Sequence, residues 1–137
     1  MLEKNDEQKV PYYEISGFEE VFLEDSWVYE IREDSSELVF SLDFVLREKH
    51  ELYAPPLPNE QYCYRRGYIR FHKPSAVTWL RKTMTPYVDV TGEADFGNID
   101  TFYFFGDHFH LEGGWGELEI VSPPPTIDFV EAKKTAG

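Results

Sequence analysis

Residues 37–47, ELVFSLDFVLR, alternate so regularly that they admit one reading. Leu38, Phe40, Leu42, Phe44 and Leu46 share one side of an extended chain. Glu37, Ser41, Asp43 and Arg47 share the other, with Val39 and Val45. A helix repeats every 3.6 residues and would scatter these leucines and phenylalanines around its axis, whereas a strand repeats every two. The run is therefore a long β-strand with one buried face.

Shorter runs of the same kind surround it, each bounded by turn residues. GFEEVFLE (17–24) and WVYEIRE (27–33) read as a hairpin around Asp25 and Ser26, with Trp27, Tyr29 and Ile31 on one face. EQYCYRRGYIRFHK (60–73) is a second long strand, in which Gly67 marks a bulge or a close approach of another chain segment. IDTFYFFG (99–106), HFHLEG (108–113), GELEIV (116–121) and TIDFV (126–130) follow, with tight turns at Gly106-Asp107 and Gly113-Gly114. Residues 75–83 fit either a helical turn or a strand, and 48–60 and 123–125 read as loops. The expected fold is all-β, an antiparallel meander of about eight strands forming a sandwich or barrel with little helix. One domain spans 12–130, and 1–11 and 131–137 read as tails. An aromatic content of 17% agrees with this, because flat side chains pack well on a pleated surface.

Charge is unevenly placed. The 137 residues carry a net −13, which disfavours nucleic acid and anionic lipid as partners and favours basic ones. Residues 61–88 contain Arg65, Arg66, Arg70, Lys73, Arg81 and Lys82 and no acid, while 1–60 hold 16 acids against 5 bases and 89–137 hold 10 against 2. The chain shows no apolar run of membrane-spanning length and no apolar signal core near Met1, and its single cysteine, Cys63, fits a reducing cytoplasm.

Four groups of residues carry candidate chemistry. His108, His110 and Glu112 alternate on one strand, as two-histidine, one-carboxylate sites for iron or zinc require, and cupin barrels use a His-x-His strand in this way. At a rise of ~3.3 Å per residue, however, Glu112 stands ~13 Å from His108, so a metal needs a third ligand from another strand. The simpler reading places Phe109 and Leu111 in the core and turns both histidines and Glu112 to water. The acidic loop 89–100 offers Asp89, Glu93, Asp95 and Asp100 as calcium donors, but Thr91 and Ala94 break the twelve-residue EF-hand pattern, and turn capping accounts for the same residues.

Along 62–72 the even positions read Tyr62, Tyr64, Arg66, Tyr68, Arg70 and His72. That face suits a small anion or a stacked base. Alternatively, its arginines pair across the ladder with acids of the neighbouring strand such as Asp43, and this is the favoured reading. Nucleophilic catalysis finds no support: Cys63 and His72 fall on opposite strand faces, and no nucleophile elbow, phosphate loop or CxxC pair is present. Glu93 and Asp95 are the remaining paired carboxylates. Ala54 to Pro58 form a proline-stiffened loop that also matches a polyproline ligand, and Trp115 between glycines is expected to plug the core.

The C-terminal half, YVDVTGEADFGNID followed by DHFHLEGGWGELEI, resembles small bacterial β-rich proteins that end in a Trp-Gly-Glu hairpin, and is more distantly similar to the acidic immunity proteins of bacterial toxin systems. The likeness runs over roughly residues 18–121 and implies a bacterial, cytoplasmic, non-enzymatic protein. It brings no catalytic residues. The expected function is binding of a protein partner, basic by complementarity, with no cofactor; exposed strand edges are compatible with a homodimer. The alternatives are a small-anion binder at the Tyr/Arg strand and a cupin-like metal enzyme at His108 and His110.

Overall fold

The computed structural model describes residues 8–88 and 90–130. Most of both expected tails (1–7 and 131–137) and Asp89 of the acidic loop lie outside the described residues. The described chain forms eleven strands, eight of them four residues or longer: β1 (Val10–Pro11), β2 (Val21–Glu33), β3 (Glu37–Leu46), β4 (Tyr64–His72), β5 (Ala76–Lys82), β6 (Tyr87–Val88), β7 (Ala94–Asp95), β8 (Ile99–Phe104), β9 (Phe109–Gly113), β10 (Gly116–Val121) and β11 (Thr126–Phe129). Strand pairing thus begins at Val10, just ahead of the expected domain start.

All pairings are antiparallel, in two main sheets ordered β1-β8-β9-β10-β5 and β11-β4-β3-β2, with β6 and β7 as a small ribbon. The sheets do not close into a barrel; they face each other as a sandwich. Phe40 of β3 meets Trp115 edge-on at 5.2 Å, and Phe71 of β4 meets Phe109 of β9 at 5.6 Å. The apolar side of β3 read from its alternation is this core: Leu38, Phe40, Leu42 and Phe44 are fully buried. Residues 76–82 resolve as strand, because β10 offers a free edge for them to pair along.

The stretch around Asp25 and Ser26 is not a hairpin. Both of its arms pair with β3, Phe22 opposite Val45 and Trp27 opposite Asp43, so four residues stand across from Phe44 alone in a wide bulge. Ser26, fully buried, stitches it: its hydroxyl donates to the Phe22 carbonyl at 2.7 Å and accepts the Val45 N–H at 2.9 Å. A second register slip between Val28 and Glu30 reverses the parity of the strand. Ile31 therefore packs toward the core beside Phe40 instead of sharing the outer face with Trp27. Beyond the bulge, Val28 also exchanges backbone bonds with Phe96 and Gly97 (2.7 and 2.8 Å), so β2, while still paired with β3, braces the segment leading into β8.

The turns follow the glycines. Phe105 N–H bonds the His108 carbonyl across Gly106-Asp107, with Gly106 at φ +91°, which a side chain would resist. The next turn is displaced by one residue from expectation: Gly113 pairs with Gly116, leaving Gly114 and Trp115 at the tip.

Candidate functional site

The outer face of the β11-β4-β3-β2 sheet carries the tyrosines and arginines singled out in the sequence. The β3–β4 ladder runs unbroken from Glu37 opposite His72 to Val45 opposite Tyr64, so alternation holds through Gly67. That glycine is a close approach and not a bulge: a Cβ there would lie 2.7 Å from the Asp128 carbonyl oxygen. Tyr64, Arg66, Tyr68 and Arg70 consequently stand in a row. Tyr62 precedes the strand, with its ring 6.2 Å from that of Tyr64, and Asp25 beside its hydroxyl holds it above the ordinary phenol range.

The arginines of this row are held by carboxylates. Arg66 donates its Nε–H to Asp43 at 2.7 Å, with its guanidinium 4.2 Å over the Tyr29 ring, whose hydroxyl donates to the other Asp43 oxygen at 2.7 Å. Arg70 donates from Nε to Asp128 at 2.8 Å and from Nη1 to Glu37 at 3.2 Å. Glu37 also receives Arg32 at 2.9 Å. A polar depression of about 370 Å³ lies among Arg32, Arg66, Arg70, Tyr29 and Tyr68. An anion entering it competes with carboxylates already in place, so internal pairing, the reading favoured from the sequence, describes this face.

Burial raises the Tyr29 phenol, and the bond to Asp43 raises it further; Tyr12 is raised by the same two causes, with Glu24 as its acceptor at 2.7 Å. Both shifts mean that the fold prefers the neutral phenol. In the unfolded chain tyrosine ionises near pH ~10, so this stabilisation is complete below that value and declines as pH rises above it. The melting temperature is expected to fall between pH ~9 and ~11, and Tyr29→Phe with Tyr12→Phe to flatten that fall. An unchanged alkaline slope in the double variant would remove the assignment.

His108 and His110 are not on a wet face. They are 0% and 3% exposed, and Glu119 opposite them on β10 is 2% exposed. β9 is the central strand of its sheet, so both flanks are covered, and Phe105 turns back to stack on the His108 ring at 5.4 Å and 18°. The expected exposure fails because alternation separates two faces without saying whether the second is covered. Each buried imidazole meets a carboxylate through one ring nitrogen. His108 Nδ1 meets Asp107 at 2.6 Å, its Nε2 stands 3.6 Å from Glu119, and His110 Nε2 meets Glu117 at 2.8 Å. Glu112 points elsewhere, 3.8 Å from Arg81. Among the described residues, no group of three or more His, Cys, Asp or Glu is placed to hold a metal ion.

In the acidic loop, Asp95 accepts the Gly97 N–H at 2.8 Å, the turn-capping role. Cys63 accepts the Ala54 N–H at 3.4 Å and His72 bonds Thr126 at 3.0 Å at the far end of β4, so the two do not meet. Trp115 is fully buried, as expected of a core plug.

A grouping the sequence reading did not assemble adjoins this face. Trp27 and Tyr29 of β2, Tyr64 of β4 and the acidic residues Asp43, Glu60, Glu93 and Asp95 line a cleft of about 620 Å³. The available signal was Trp27-x-Tyr29 on one strand; the missing information was the register that sets it beside Tyr64 and under the β6–β7 ribbon.

No protein-family model matches this chain, and neither a curated protein nor a solved structure does. No helix among the described residues is long and apolar enough to cross a membrane.

Proposed function

We propose that this protein is a non-enzymatic β-sandwich that binds a basic protein partner through its acidic surface. The observation that carries the reading is the fate of the basic island. Arg66 and Arg70 are paired with Asp43, Glu37 and Asp128, so the central cations are compensated by acids of the same face. The net −13 is then presented by the remaining acids, among them the exposed Glu14, Glu19, Glu30, Glu33 and Glu93. A field of one sign steers an oppositely charged protein into contact and makes the association fast and salt-sensitive.

A partner-masking role in a bacterial cytoplasm, as the likeness to immunity proteins implies, belongs to the same proposal, as does the non-enzymatic assignment. The buried state of His108 and His110 favours a packing role for them over a substrate-facing one.

The test is binding of an arginine-rich peptide and of basic proteins to the immobilised chain. Affinity is expected to fall by about tenfold or more between ~50 and ~300 mM salt. Absence of binding at low salt, or affinity indifferent to salt, would overturn the proposal.

A further inference from the structure

The geometry points to where such a partner inserts. We propose that the cleft between β2, β4 and the β6–β7 ribbon receives an arginine or lysine side chain of a basic polypeptide; this rests on the acidic-surface reading above. Three features converge on that occupant. The first is aromatic: Trp27, Tyr29 and Tyr64 contribute rings to one cavity, and Trp27 remains 38% exposed although it sits in the middle of a strand. A tryptophan turned out of a sheet forgoes apolar burial, and a cation seated on its face restores contact through the ring quadrupole.

The second feature is charge. Glu60, Glu93 and Asp95 surround the rings, and among the described residues no lysine, arginine or histidine lines the cleft. Asp43 is shared with Arg66 from the adjoining depression and one Asp95 oxygen accepts the Gly97 N–H, so the described lining carries four carboxylates beside one neighbouring cation. A nucleotide or phosphate is repelled by such a lining. The third feature is size. About 620 Å³ is far more than a metal ion needs, and no group of three described acids is placed to coordinate one. A guanidinium or ammonium on a long apolar stem fits: the stem lies along the rings while the head reaches the carboxylates.

The experiment titrates the intact protein with a peptide of alternating arginine and glycine, with its citrulline counterpart, and with a neutral oligosaccharide, since aromatic clefts also stack sugars. Wild type is expected to bind the arginine peptide about tenfold more tightly than the citrulline one. Trp27→Ala and the charge-only variant Glu60→Gln are each expected to weaken arginine-peptide binding by about fivefold or more, with the melting temperature within a few degrees of wild type. Ser16→Ala, exposed and outside the cleft lining, is expected to change it by less than about twofold. If the arginine peptide binds but both cleft variants bind it equally well, the cleft is overturned while the acidic-surface reading stands. Equal binding of the citrulline peptide, or saturable binding of the oligosaccharide that Trp27→Ala abolishes, also overturns it. No binding of the arginine peptide at low salt overturns both.

Discussion

Trp115→Ala is expected to cost about 3–5 kcal/mol of folding stability, the largest loss from any single side chain considered. The indole is fully buried although it stands at the tip of a two-residue turn, where side chains ordinarily point to water. It folds back between the sheets, edge-on to Phe40 at 5.2 Å and perpendicular to Trp79 at 6.1 Å. Its Nε1–H donates to the Asn98 carbonyl at 3.0 Å. Truncation therefore opens a cavity between the layers and leaves a part-buried carbonyl without its donor. Trp115→Phe separates these effects, since it keeps most of the packing and loses the bond, and is expected to cost about 1–3 kcal/mol. Urea denaturation followed by far-ultraviolet circular dichroism checks both, with unchanged m-values. A loss below about 1 kcal/mol for Trp115→Ala would show that the ring does not key the sandwich.

Gly67→Val is expected to cost about 1–3 kcal/mol, and the damage should concentrate on β11. Gly67 has no left-handed backbone, so the restriction is one of space. A Cβ would stand 2.7 Å from the Asp128 carbonyl, 3.0 Å from the Phe44 ring and 3.2 Å from the Phe129 ring. The carbonyl belongs to the strand paired with β4, with Gly67 directly opposite Phe129, so the two chains must move apart to admit a side chain. Hydrogen exchange reads the result by position: Ile127 to Phe129 amides should lose protection while β3 amides keep theirs relative to global stability. Uniform loss across both sheets would refute the local account.

How much of this was legible in the sequence depends on what each residue pattern encodes. The faces of β3 follow from period-2 alternation, and the Gly106-Asp107 turn follows from the need for positive φ. The Arg66–Asp43 pair was legible because complementary charges lay on two long alternating strands; the ladder then supplied the register. The β2 bulge was not legible. Asp25-Ser26 supplies polar groups that serve a turn or a bulge equally well, and only the pairing of both arms with β3 distinguishes the two.

The buried histidines show a second limit. Phe109 and Leu111 correctly indicated the inner face, yet the outer face is closed by Phe105 and by carboxylates of Asp107, Glu117 and Glu119. The aromatic–acidic cleft draws on β2, β4 and the ribbon at once, so no single segment announces it.

The brace formed by Val28 with Phe96 and Gly97 bears on how the two layers respond to load. In a plain sandwich the sheets are held together by interdigitated side chains alone. Here a strand of one sheet is hydrogen-bonded to the chain entering the other, and Asn98 adds a side-chain bond to the Ser26 carbonyl at 2.7 Å. The layers are thereby joined at a corner, as two boards are by a mortise. Because Trp27 immediately precedes this joint and the β6–β7 ribbon hangs from its other side, the walls of the cleft are carried on a rigid bracket.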